Sequence, residues 1–339
     1  MSSQYADDCR FNSEILADIP HLPLDNASII HKGACAVVVR FHSGIGLAAS
    51  KHFASAGMHV VMVDINTKLL ETSAQEVKSI TCAGDVTPIT TDVSKFDEVI
   101  KLKEKVLDLH GEIAILMNNA ALLTKTAPAF SLTEPVAKVH QTWEDIMSVN
   151  FGGVLNGTQI FAPVMAHQEN PSVIINTGSK QGITCPPGNA AYNASKSAVK
   201  TLTEQLAHEL RNLPDSKCSA HLFVPGWVHT GERGRTQPKP DGAWTPEETV
   251  AYMLDRLSRG DFYIICPDND VTSDLDKLRI AWSLGDVVEN RPALSRWHND
   301  YKAHFDDYIK NGLRERRADR SRSRGRLNTT DPSPLHDNV

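Results

Sequence analysis

The sequence has no run approaching the eighteen or so apolar residues that a membrane span needs, so no membrane partner is expected. It has no excess of positive charge either. Lys plus Arg total 35 against 41 Asp plus Glu, a net charge of −6, which removes the overall electrostatic reason to expect nucleic acid or an anionic surface as partner. Cysteine is sparse: the six copies, Cys9, Cys35, Cys82, Cys185, Cys218 and Cys266, form no C-x-x-C pair and follow no apolar leader, which suits a reducing cytoplasm. Asp7, Asp8, Glu14 and Asp18 give the first segment the wrong sign for an organelle transit peptide. The fourteen histidines form no H-E-x-x-H or cysteine-linked ligand set, so no metal is expected. The run Asp268-Asn269-Asp270 lacks the glycine of a calcium loop and reads as a solvated turn. No G-x-S-x-G elbow surrounds Ser179, which argues against a serine hydrolase.

What the chain does have is enough apolar material, 41% of 339 residues, to bury a substantial core. Short apolar runs alternate with helical periodicity: strand Ala34–Val39, helix to about Gly57, strand His59–Val63, helix near 67–78, strand 87–90, helix 95–109, strand 113–117. Two long helices follow, about 136–168 with an interruption and 191–212, separated by a strand at Ser172–Thr177. A strand at Ala220–Val224, a helix at 247–259 and a strand at Phe262–Cys266 complete the series. Strands joined through helices need crossover connections, so the fold class is α/β with a doubly wound (Rossmann) parallel sheet. The organisation expected is an irregular arm over 1–30, a Rossmann-type domain over 31–270, a C-terminal extension over 271–312 and a disordered arginine-rich tail over 313–339. That tail carries seven arginines between Arg314 and Arg326. The Gly- and Pro-rich stretch from Thr230 to Glu247 reads as a mobile lid over a pocket.

A strand, a glycine turn and a helix, followed by a second strand ending in an acid, are the parts of a dinucleotide site. Gly44, Ile45 and Gly46 form the turn, where glycine lets the backbone approach a pyrophosphate at the helix start. Asp64, eighteen residues after Gly46, would accept hydrogen bonds from the adenosine ribose and repel a 2′-phosphate, so NAD is preferred while NADP is left open.

Tyr192 and Lys196 are four apart in a helical segment and project from one face. An adjacent ammonium favours the ionised phenol, so Tyr192 is expected to become a usable acid or base near neutrality. Ser179 stands thirteen residues before Tyr192, just past a strand, where its hydroxyl could hold a substrate oxygen. Asn150 lies inside a helix, an unfavourable place for asparagine unless it has work to do there.

These motifs and their order resemble the short-chain dehydrogenase/reductase family over about residues 33–270. Ser43-Gly44-Ile45-Gly46 is similar to the end of T-G-x-x-x-G-x-G and Asn118-Asn119-Ala120-Ala121 to N-N-A-G. Tyr192 to Lys196 matches Y-x-x-x-K, and Pro225-Gly226-Trp227-Val228-His229-Thr230 matches P-G-x-V-x-T. Ala121 replaces the last glycine of the second motif. Val39 and Arg40 stand where the family has threonine and its first glycine, so Arg40 either swings out to pair with phosphate or obstructs the adenosine half.

The resemblance implies a catalytic set of Asn150, Ser179, Tyr192 and Lys196, with Lys196 also gripping the nicotinamide ribose. It implies that Asp92 and Val93 contact adenine, although an acid at a strand end is equally an ordinary helix cap. It further implies that Asn119 belongs to the cofactor site, that the Val228 backbone holds the nicotinamide carboxamide, and that Thr230 holds the amide or the pyrophosphate. The expected reaction is hydride transfer between NAD(P) and a small-molecule secondary alcohol or ketone, in a homodimer or homotetramer. The rival reading is a cofactor-impaired relative acting as a binding or regulatory protein, motivated by Arg40. Lys180, Gln181, Cys185, Asn189 and Trp227 flank the site, and Lys180 is either a cation for an acidic substrate or a solvent-facing lysine.

Overall fold

The computed structural model describes residues 29–40, 44–80, 84–122, 125–230 and 236–327. Seven strands form one sheet: β1 Cys35–Val39, β2 His59–Asp64, β3 Val86–Thr90, β4 Ile115–Asn118, β5 Ser172–Thr177, β6 Cys218–Val224 and β7 Tyr263–Ile265. All pairings are parallel, in the order β3-β2-β1-β4-β5-β6-β7. Because helices cover both faces, the central strands are apolar throughout rather than alternating; Ala36, Val37 and Val38 are all fully buried.

The helices are α1 Ile45–Ser55, α2 Thr67–Lys78, α3 Phe96–His110, α4 Val136–Met147, α5 Gly153–His167, the short α6 Gln181–Thr184, α7 Ala190–Asn212, α8 Pro246–Ser258, α9 Ser273–Val288 and α10 Lys302–Leu327. One core layer joins α1 and α8 to the sheet through Phe53, Met58, Val250 and Met253. The opposite layer joins α3, α5 and α7 through Val106, Phe161, Met165 and Leu206. Where β1 is flanked by β2 and β4, the connections leave on opposite faces, and this reversal opens a crevice at the carboxyl ends of the strands.

Three expectations about boundaries change. Ile29, the first described residue, is 3% exposed and packs in the first core layer rather than in an arm; residues 1–28 lie outside those described. Residues 313–327 continue α10 instead of forming a disordered tail, while 328–339 lie outside the described residues. Phe305 and Tyr308 hold that helix against Trp282 of α9, with ring centroids 5.4 and 5.2 Å apart. The expected lid is pinned in its second half, with 231–235 outside the described residues. Trp244 N–H donates to Trp227 O at 2.9 Å, His229 N–H to Trp244 O at 2.9 Å, and Thr245 forms a reciprocal cap with Glu248 at the start of α8. Among the described residues no helix is long and apolar enough to cross a membrane.

Candidate active site

The strand ends and loops at the reversal join several of the residues expected from the sequence: Gly44 meets Thr230, Asn119 meets Thr177, and Asn150 meets the helix that carries Tyr192. At the start of α1, Gly44 has φ 69°, and among the described residues no side chain caps the helix. A Cβ on Gly44 would lie 2.7 Å from Thr230 Cγ2, so only glycine lets the turn close on the loop after β6. Asp64 ends β2, buried to 6%, and its Oδ1 accepts the Asn66 amide at 3.0 Å. Asn119 links two walls: its Nδ2 donates to Arg40 O at 3.2 Å and its Oδ1 accepts from Thr177 Oγ1 at 3.1 Å.

Val93 packs at Gly153 of α5, and Val93 O accepts from Asn156 Nδ2 at 2.9 Å. Asp92 Oδ1 accepts both the Ser94 amide at 3.0 Å and the Ser94 hydroxyl at 2.7 Å. That local turn leads into α3, as the capping alternative allows. Val228 pairs with Trp244 in an isolated bridge whose hydrogen bonds use the flanking residues, so the Val228 amide and carbonyl point the other way.

Arg40 adopts φ 55°, the left-handed backbone that a glycine would take without strain. Its side chain is largely buried, within electrostatic range of Asp64, Tyr192 and Lys196. Burial pulls its pKa down, and the negative charges of Asp64 and of ionised Tyr192 push back.

Tyr192 and Lys196 rise from one face of α7, buried to 8% and 1%. Tyr192 lies near enough to Ser179 for that hydroxyl to act on its ionisation. Lys196 Nζ donates to Thr177 O at 2.7 Å. The expected acidification of the phenol by the lysine is not found. Burial raises the Tyr192 pKa, with Ser179 and Arg40 acting against that rise. Burial, with repulsion from Arg40, instead lowers Lys196 from its ordinary 10.5 to about 7. Desolvation wins because both groups are packed away from water.

Asn150 is fully buried inside a π-helical turn, Ser148–Gly152, between α4 and α5. Its Oδ1 accepts the Leu122 amide at 2.6 Å and its Nδ2 donates to Ser195 Oγ at 3.3 Å, tying the loop after β4 to the Tyr192 helix. Ser195 Oγ in turn donates to Tyr192 O at 2.8 Å.

Two expectations about the rim are corrected. Lys180 faces neither solvent nor a free pocket wall: its Nζ stands 2.6 Å from Asp276 Oδ2 and 3.4 Å from Asp268 Oδ2. Asp268, read from sequence as part of a solvated turn, is 8% exposed and accepts from Trp227 N, Asp270 N and Val271 N. Its position directly after the last strand was the available signal, since strand ends in such sheets face the crevice.

The profile of the short chain dehydrogenase family matches residues 34–240. The chain is 31% identical over 233 residues to the 3-oxoacyl-[acyl-carrier-protein] reductase of Thermotoga maritima, covering 68% of this chain and 85% of that one. It is 31% identical over 211 residues to 3beta-hydroxysteroid dehydrogenase 2 of Eggerthella lenta, covering 62% and 77%. Among solved structures, a short chain dehydrogenase/reductase of Burkholderia phymatum in complex with NAD superposes with a TM-score of 0.67 at 27% identity, covering 78% of this chain and 97% of that one. A metagenomic short-chain oxidoreductase in complex with NADP gives 0.56 at 25% identity, covering 70% and 97%. With the parallel sheet, the crevice and these relatives in agreement, the chain belongs to the short-chain dehydrogenase/reductase family of oxidoreductases.

Proposed function

We propose that this protein interconverts a small-molecule secondary alcohol and its ketone with a nicotinamide dinucleotide, NAD in preference to NADP. The observation that carries the reading is the Ser179–Tyr192 hydroxyl pair beside the crevice, with Lys196 one helical turn along. The cradle fits such a group. Uncapped amides open α1, Gly44 is closed against Thr230, and the Val228 amide points away from its bridge. Asp64 would take the adenosine ribose, the α1 amides and Thr230 the pyrophosphate, and Val228 the carboxamide. When bound, the nicotinamide supplies or accepts the hydride.

The chain's own groups handle the proton. In the reductive direction Tyr192 Oη gives its proton to the oxygen of the substrate as carbon becomes tetrahedral, while Ser179 Oγ donates a hydrogen bond to that oxygen. A raised pKa keeps Tyr192 protonated at neutral pH, ready to act as the acid. Lys196, with a pKa of about 7, can hold or release a proton near neutrality and so return one toward Tyr192. Asn150 acts on the helix bend and on Ser195 beneath the phenol.

Preference for NAD rests on Asp64, which would oppose a 2′-phosphate; the nearby Arg40 cation reduces that discrimination. We further propose a homodimer or homotetramer in the cytoplasm. Phe130, Leu132 and Val136 stand 73%, 92% and 82% exposed at the start of α4, an apolar surface suited to a second copy.

The test is a screen of ketones and alcohols with reduced and oxidised cofactors, repeated with Tyr192→Phe. Turnover should fall by about 10²–10⁴-fold while titration of NADH fluorescence still shows the same affinity. Undiminished turnover in the variant refutes the assignment of the proton to Tyr192.

A further inference from the structure

The groups that shape the substrate side of the crevice are joined by a buried ionic cluster. Lys180 follows Ser179 directly and opens the loop that becomes α6; its side chain is 23% exposed. The two carboxylates it meets are 5% and 7% exposed and come from elsewhere in the fold. Asp268 follows β7, and Asp276 lies in the first turns of α9, both beyond residue 240 where the family match ends.

Asp268 serves two loops at once. Its Oδ2 accepts the Trp227 amide at 3.0 Å and faces Lys180 at 3.4 Å, while its Oδ1 accepts Val271 N at 2.7 Å and Asp270 N at 3.2 Å. The approach requires glycine at 226, since a Cβ there would lie 2.7 Å from Pro267 O and 2.9 Å from Asp268 Oδ2. The loop bearing Ser179 and the loop bearing Trp227 and Val228 thus share one carboxylate. Through Lys180 they are tied to the C-terminal extension.

We infer that Asp276 of the C-terminal extension is a positioning residue for the alcohol/ketone reaction, acting through the Lys180–Asp268 bridge on the Ser179 loop. The inference rests on the oxidoreductase reading above. Lys180 is spent inside the fold: two carboxylates neutralise its charge, and Arg279, also on α9, adds a further cation near Asp276. The substrate needs no anionic group to satisfy it. Losing Asp276 slackens one anchor of the loop while Asp268 still holds Lys180, so the serine hydroxyl drifts from its place beside Tyr192.

The experiment uses the full chain carrying Asp276→Asn, alongside Lys180→Arg and the double variant Lys180→Met with Asp276→Asn. In the double variant Asp268 keeps its three backbone donors, so its carboxylate remains hydrogen-bonded. Kinetics on the best neutral ketone from the screen should show kcat reduced about ten- to a hundredfold in Asp276→Asn, as small misplacements do, with NADH affinity unchanged. Lys180→Arg should retain most of the activity, and the double variant should lose no more than the larger single loss. A second readout is independent of turnover: amide hydrogen exchange across 179–185 and at Trp227 should quicken about tenfold in folded Asp276→Asn.

Unchanged exchange in that variant overturns the inference whether or not a substrate is known. So does a lowered KM for carboxylate-bearing ketones, which would make Lys180 a substrate-binding cation held back by Asp276. If the unaltered protein turns over no alcohol or ketone yet the exchange result holds, the oxidoreductase reading fails while the ionic tether stands.

Discussion

Replacing Lys196 with methionine should flatten the pH dependence of stability just above neutrality. An unfolded chain keeps this lysine protonated up to its ordinary 10.5, whereas burial and Arg40 bring it to about 7 in the fold. Between those values the unfolded state binds more protons than the folded one, so stability rises with pH. Each unit carries at most about 1.4 kcal/mol. The upper limit of the clean window is near pH 8, because the buried thiols Cys35, Cys218 and Cys266, with ordinary values of 9.0, are pushed up to about 12, 11 and 12. As pH approaches that ordinary value the unfolded chain loses thiol protons that the fold retains, which opposes the lysine. From about pH 7 to 8 the protein should therefore gain about 1 kcal/mol, and Lys196→Met, which removes the charge and nearly keeps the volume, should gain almost none. Urea denaturation followed by circular dichroism at several pH values reads both slopes. Parallel curves for the two proteins would refute the claim that this ammonium is desolvated at a cost to the fold.

Other outcomes follow from the same geometry. Arg40→Gly should relieve left-handed backbone strain and stabilise the chain by about 1 kcal/mol; it should also tighten NAD binding by opening the groove, and calorimetry showing weaker binding would identify the guanidinium as a phosphate ligand. Gly44→Ala places a methyl against Thr230 at a backbone angle that alanine resists, so NADH affinity should fall at least about tenfold; unaltered affinity in a titration would show that the turn does not meet the cofactor. Burial holds His221 below its ordinary 6.5, so the unfolded chain takes up a proton first as the solution is acidified and stability drops below that value. His221→Gln should reduce the acid-side slope, read by the same urea series.

Periodicity located the strands and the long helices up to α8 to within a residue or two, because apolar runs covered on both faces and amphipathic helices leave different marks, but it gave neither α9 nor α10. The order of glycine turn, Asp64, Asn119, Asn150, Ser179, Tyr192 and Lys196 likewise pointed to the family whose profile the chain matches. What escaped the sequence depends on neighbours brought together only by folding. Asp268 looks like a solvated turn until Gly226 lets it reach the Trp227 amide. Lys180 looks free until α9 delivers Asp276. The sign of the Tyr192 shift was missed for a related reason: spacing reveals which charges lie near but not how little water surrounds them. The arginine-rich segment looked uncovered, yet Trp282 anchors the helix that runs into it.

The wide turn at Ser148–Gly152 acts as a phase shifter. One residue more than a regular turn rotates everything after it by about 100° relative to what precedes it. The stripe of α5 that meets the sheet, including Val154, Phe161 and Met165, is therefore out of step with the stripe of α4 that carries buried Ile146. A single-residue deletion there would regularise the coil and swing Phe161 and Met165 toward water, so this short stretch should resist length changes that ordinary helix ends absorb.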